Sequence, residues 1–112
     1  MEALLDEIRT FVIERDWEQF HAPKNLAIAV AVEAAELLEP FMWLTPDESR
    51  AAPPSLRERS AEEAADVFIC LMMLCDKLGI DLLEAARRKL EKNRAKYPVE
   101  KAKGNAAKYD EL

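Results

Sequence analysis

Leu26-Ala27-Ile28-Ala29-Val30-Ala31-Val32-Glu33-Ala34-Ala35-Glu36-Leu37-Leu38 is an apolar run broken by two acids. Further on, Glu63-Ala64-Ala65-Asp66-Val67-Phe68-Ile69-Cys70-Leu71-Met72-Met73-Leu74 repeats the pattern. Only two glycines occur in 112 residues and β-branched residues are sparse, so a nearly all-helical chain is predicted. On helices, each i,i+3 acidic pair presents its carboxylates on one face, about one turn apart. Four unpaired negative charges facing a common interior would be very costly; buried charge is normally paired or coordinates metal. Hard divalent ions such as Mg²⁺, or Mn²⁺ in its place, want oxygen ligands of this kind. The two stretches therefore predict a metal site between two helices, with Glu33, Glu36, Glu63 and Asp66 as its acids.

Acidic i,i+3 pairs are common on solvated helices, and one Glu-x-x-Glu carries little meaning. Here both pairs are embedded in small residues, Ala31, Ala34 and Ala35 in the first stretch and Ala64 and Ala65 in the second. Small side chains let backbones approach closely, as shared ligation between bundle helices requires. The competing reading pairs the acids with Lys or Arg, or turns them out to water. Glu39 continues the face of Glu36 and is read as an extra ligand or a base.

Working outward, a first helix is predicted over Glu2 to Asp16, with Leu4, Leu5, Ile8, Phe11 and Val12 on its inner face. Pro23 suits the first turn of the next helix, where its missing N–H costs nothing. That helix is carried to about Trp43, kinked or loosened at Pro40, which forfeits the bond to the Glu36 carbonyl. Thr45-Pro46-Asp47-Glu48 reads as a capping box opening a short turn, and residues 51–55 as a mobile loop. Ser60 and Glu63 read as a second capping box, opening a third helix toward Leu78 with Gly79 stopping it. In that reading Glu63 faces a competition between capping and metal. Asp81 and Glu84 open a fourth helix through Leu90 and Asn93, and Pro98 to Leu112 form a polar tail docked by Val99 and Tyr109.

The expected architecture is a single all-α domain over residues 1–112, of four-helix-bundle type and completed by oligomerisation. A chain this short has a modest core, and the apolar middle of its third helix calls for another subunit. A formal charge of -6 argues against binding nucleic-acid polymers. It does not exclude a small anionic substrate, because bound cations reverse the sign locally. Cys70 and Cys75 fall in a helical apolar segment, five positions apart and turned from each other, and read as buried thiols of a reducing compartment. The N-terminus has no signal-peptide pattern, and no run reaches the roughly 18–20 apolar residues of a membrane span. A cytoplasmic protein without membrane contact is expected.

His21 is the only histidine, so zinc-hydrolase patterns are excluded and an all-oxygen site remains. Mg²⁺ in such sites usually binds through carboxylates plus substrate phosphates. Lys89 and Asn93 share one helix face at i,i+4, as do Lys92 and Lys96, and offer phosphate partners, although such cations are commonly solvated surface. Trp17, Phe20, His21, Trp43 and Tyr97 offer flat surfaces for a nucleobase, or else core packing. Gly-rich phosphate loops are absent, so a triphosphate would be held by metal and side chains.

The chain at this point resembles the MazG-like, all-α nucleoside triphosphate pyrophosphatase superfamily, and within it the dCTP pyrophosphatase family. The family's signature, Glu-x-x-Glu followed after an insert by Glu-x-x-Asp, falls on Glu33-Ala34-Ala35-Glu36 and Glu63-Ala64-Ala65-Asp66. Flanking matches are Glu14-Arg15-Asp16-Trp17-Glu18-Gln19-Phe20-His21, Pro23-Lys24-Asn25-Leu26, Phe41-Met42-Trp43, Lys89 with Asn93, and Lys96-Tyr97-Pro98. The resemblance implies hydrolysis of a nucleoside triphosphate between its α and β phosphates, with Glu33, Glu36, Glu63 and Asp66 as Mg²⁺ ligands. It implies Trp17, His21 and Trp43 around base and sugar, with Asn25 beside them, and Lys89, Asn93 and Tyr97 at the phosphates. It also implies a homodimer or homotetramer. Glu36 or Glu39 is expected to orient or deprotonate the attacking water. Where some relatives carry Tyr one turn after the final Asp, this chain has Cys70, which leaves the selectivity open. The rival readings are a dUTP- or phosphoribosyl-ATP-directed hydrolase of the same superfamily, and a non-catalytic helical interaction protein.

Overall fold

The computed structural model describes residues 1–111; the last residue of the expected tail, Leu112, lies outside them. Among the described residues there are six α-helices, two short 3₁₀ turns and no β-strand, so the all-α expectation holds. The chain forms two compact units, Met1–Gly79 and Ile80–Leu112.

In the first unit, α1 spans Glu2–Glu14, α2 Pro23–Leu38, α3 Pro46–Ala51 and α4 Pro54–Lys77. The α1 helix stops two residues short of expectation because Asp16 adopts a left-handed conformation, φ 53°. Its amide reaches the Ile13 carbonyl at 3.0 Å and the Trp17 amide the Val12 carbonyl at 3.1 Å. This is a Schellman closure with aspartate in the place glycine usually takes. It folds Trp17 back onto α1, where its ring meets Phe11 edge-on with centroids 5.7 Å apart. Pro23 opens α2 as expected.

The α2 helix ends at Leu38, not Trp43. Pro40 has no N–H to give the Glu36 carbonyl, which takes the Glu39 amide instead at 3.2 Å. Tight three-residue steps follow, Phe41 to Leu38 at 2.9 Å and Leu44 to Phe41 at 3.0 Å. The chain unwinds rather than kinks. The Thr45 capping box then forms in both directions, Glu48 N–H to Thr45 Oγ1 at 3.2 Å and Thr45 N–H to Glu48 Oε1 at 2.9 Å.

The largest departure from the sequence reading lies at the start of α4. The expected 51–55 loop shrinks to Ala52 and Pro53, with Ala52 left-handed at φ 42°. Pro54 enters the helix in its first turn, which proline favours. Ser60 and Glu63 are consequently inside the helix and form no capping box, which releases Glu63 from that role. The other end matches: Leu78 is the C-cap and Gly79 follows at φ 65°.

Two faces of α4 organise the unit. Ile69, Met72 and Met73 pack on Leu5, Ile8 and Val12 of α1 at helical spacing. One turn beyond Met72, Asp76 accepts from Arg9 Nε at 3.0 Å. Lys77 Nζ then donates to Glu18 Oε1 at 2.9 Å, fastening the 3₁₀ turn Glu18–Phe20 to the end of α4. The other face of α4 meets α2.

The second unit carries α5, Leu82–Lys96, the one-turn α6, Val99–Ala102, and a 3₁₀ turn, Tyr109–Glu111. Asp81 caps α5 as expected, accepting from the Glu84 amide at 3.1 Å. Tyr109 packs edge-on against Tyr97 with centroids 6.2 Å apart, and Lys96 Nζ lies 4.8 Å from the Tyr109 ring centre. Val99 is exposed rather than docked, because Pro98 starts a new turn and leaves Val99 on its outer side.

Candidate active site

The α2 and α4 helices run antiparallel past each other, so advancing from Glu33 to Glu36 on one meets Asp66 and then Glu63 on the other. Carboxylate oxygens of Glu33, Glu36 and Glu63 lie within 4.8 Å of one another. Ligands on a hard cation with bonds of 2.0–2.6 Å stand about 3–5 Å apart. Glu33 Oε2 and Glu63 Oε2 are buried with no hydrogen-bond partner. Buried acceptors left unmatched are rare and costly. Three converging carboxylates, two of which carry an unpartnered oxygen, and no histidine among them fit a hard cation.

Electrostatics agree. The Glu33 carboxyl is pushed above its ordinary value, first by its contact with the Glu36 carboxyl, then by desolvation and the charges of Asp66 and Glu63. Glu63 is also pushed up, chiefly by desolvation and then by Glu36 and Asp66; Arg59 acts against the shift. Each acid raises the cost of ionising its neighbours, as in carboxylates sharing one site. Asp66 is exposed and stands outside the group of three, but its charge reaches both Glu33 and Glu63.

Cys70, one turn beyond Asp66, is half-buried; its thiol is held above the ordinary range by desolvation, then by Glu33 and Asp66. Glu39 is at the rim, where its Oε2 accepts from Arg59 Nη2 at 3.0 Å. A helix that starts at Ser60 leaves Arg59 in the preceding loop, with no face to place it on. With α4 starting at Pro54, Arg59 falls four residues before Glu63, on the same helix face.

Of the aromatic candidates, the structure brings Trp17 and His21 together. They line a cavity of about 330 Å³ with Phe11, Ile69 and Met73. That is within the range of small-ligand sites, which are largely apolar with a few polar groups. Trp43 does not line that cavity and is 88 % exposed. Asn25 is exposed, and its Nδ2 donates to the Phe20 carbonyl at 3.1 Å, holding the 3₁₀ turn on the start of α2. Lys89, Asn93 and Tyr97 belong to the second unit; Lys89 is exposed, Asn93 is half-buried, and Tyr97 is the C-cap of α5.

The sequence over residues 28–112 matches the model of the MazG-like family. Human dCTP pyrophosphatase 1 is 43 % identical over 117 residues, covering 99 % of this chain and 69 % of the human protein. The mouse protein of the same name is 42 % identical over the same shares. Among solved structures, a pyrophosphatase of Archaeoglobus fulgidus superposes with a TM-score of 0.83 at 46 % identity, covering 88 % of this chain and 92 % of that one.

Proposed function

The chain belongs to the MazG-like family, and from that premise we propose that it hydrolyses a pyrimidine deoxynucleoside triphosphate, dCTP or a modified relative, to the monophosphate and pyrophosphate in a Mg²⁺-dependent reaction. The observation that carries this reading is the acid cluster with its two orphaned oxygens. A nucleoside triphosphate pyrophosphatase needs a hard cation to meet phosphate oxygens, and these side chains suit one. The names of the similar proteins supply the substrate class.

Glu33, Glu36 and Glu63 would hold Mg²⁺, with Asp66 completing the set; Mn²⁺ would substitute. When bound, the ion offsets charge on the phosphates and polarises the scissile bond. Glu36 or Glu39 orients the attacking water and draws off its proton. The cavity formed by Trp17 and His21 takes the base or sugar, with Trp43 and Asn25 assigned beside it from the family pattern. Lys89, Asn93 and Tyr97 keep the phosphate-binding roles given by the same pattern.

The active form is a homodimer or homotetramer. Ile28, Val32, Leu38 and Phe68, all from α2 and α4, are exposed, and the six buried apolar residues among the described ones make a small core. Exposed apolar surface on this scale marks an association face.

A panel of canonical and base-modified dNTPs with Mg²⁺, following both products, tests the proposal. Pyrophosphate and monophosphate from a pyrimidine deoxynucleotide are expected. Diphosphate with free phosphate, or no turnover across the panel, would overturn it.

A further inference from the structure

Glu39, the residue that caps α2 just past Leu38, follows Glu36 at the same three-residue spacing as Glu36 follows Glu33, so the helix and its cap carry three acids in a row. Only the first two join the converging group with Glu63. The third is taken by Arg59, across the gap on α4, at 3.0 Å. We propose that Arg59 is a positioning residue that holds Glu39 out of the metal-binding cluster and so limits the number of carboxylates a cation can gather there.

The geometry supplies both halves of the argument. Arg59 sits four residues before Glu63, so the Glu39–Arg59 pair forms the next rung beyond Glu36 and Glu63 on the same pair of helices. The guanidinium is planar and always charged, and it donates to Glu39 through one Nη2–Oε2 bond. Its charge also reaches Glu63, lowering that carboxyl's proton affinity while Glu39 acts the other way. Glu39 stays at the rim, 56 % exposed, where water reaches it. Without Arg59, nothing else in the hydrogen-bond pattern of α2 and α4 restrains Glu39, and a fifth carboxylate becomes available one turn from the cluster. A cation bound there would then lose a nearby positive charge and gain a negative one, both effects tightening it.

The inference rests on the metal reading above, and its test separates the two. Mn²⁺ is titrated into the full-length metal-free protein while free Mn²⁺ is followed by electron paramagnetic resonance. Arg59→Met is expected to bind Mn²⁺ about three- to tenfold more tightly than wild type. Arg59→Lys should fall between the two, because a lysine keeps the charge but holds the carboxylate less well. Glu39→Gln should bind about three- to tenfold more weakly, since it leaves a guanidinium unpaired beside Glu63. Arg59 is half-exposed, so a change in Mn²⁺ affinity with little change in metal-free Tm separates positioning from a purely structural role. Unchanged or weaker Mn²⁺ binding by Arg59→Met would overturn the proposal while leaving the metal site in place. A loss beyond about a hundredfold in Glu39→Gln would make Glu39 a ligand in its own right and overturn it as well. Wild type that takes up no Mn²⁺ would remove the metal reading, and the proposal with it.

Discussion

The α4 helix carries two clusters of charge that behave in opposite ways. Near its C-terminal end, Asp76 lies beside the Ile8–Val12–Met72 core and meets Arg9, whose hydrogen bonds hold its carboxyl below the usual range. In its first half, Glu63 faces Glu36 and Glu33 with an oxygen unmatched, and desolvation with like charge holds its carboxyl above the usual range. The same helix thus presents a satisfied structural acid and a frustrated one. A fold can absorb the first as ordinary surface chemistry. The second persists at a cost, which is the signature of a site whose partner comes from outside the chain.

The sharpest way to break this contrast is to remove an acid from each end and measure turnover. Glu36→Ala should lower kcat/KM by at least about a hundredfold, because even outer-shell partners of metal ligands cost 10- to 100-fold. Asp76→Asn should leave turnover within a fewfold of wild type. Equal losses in both would erase the distinction.

Metal removal gives the next largest effect. With Mn²⁺ at about 100 times its Kd, wild type should gain about 2.7 kcal/mol of stability over the chelated protein. Glu63→Gln should lose most of that gain, yet melt higher than wild type in chelator, since it removes one of the mutually repelling charges. Melting curves with EDTA and with Mn²⁺ check both signs. A smaller change is expected at the paired end, where Asp76→Asn should lower Tm by about 2–5 °C with or without metal.

Acidity sharpens the comparison further, because the two ends respond with opposite sign. Glu33 and Glu63 have folded values raised above 4.5, so their contribution to stability is present below 4.5 and lost as pH rises through the raised values. Asp76 has a folded value depressed below 3.8; its contribution is present above 3.8 and lost as pH falls through the depressed value. In chelator, acidifying from neutral toward pH 4.5 should therefore favour the fold through the cluster, and saturating metal should abolish that gain. A pH series of melting curves for wild type and Glu63→Gln isolates it: the variant's curve should be flatter over this range.

Local chemistry made much of the fold legible in the sequence. The Thr45 box, the Asp81 cap and the Gly79 stop each depend on a few adjacent residues, and each stands where the residues put it. The start of α4 was obscured because Pro53-Pro54 reads as a loop, although proline is equally at home in a first helical turn. That misreading hid Arg59 and gave Ser60 a capping role it does not have. Ser60 Oγ is instead buried without a partner. The convergence of Glu33, Glu36 and Glu63 was legible because i,i+3 spacing fixes their faces, whereas the exposed stance of Asp66 depends on how closely α2 approaches α4. The separation of Trp43 from Trp17 and His21 was not legible, since it follows from the unwinding of the chain after Leu38.

Manganese-soaked crystals, read by anomalous scattering at the manganese edge, address the central claim most directly. The account predicts a peak bounded by the carboxylates of Glu33, Glu36 and Glu63, at bonding distance from all three. A map with no peak there, and those side chains turned toward bulk water, would contradict it.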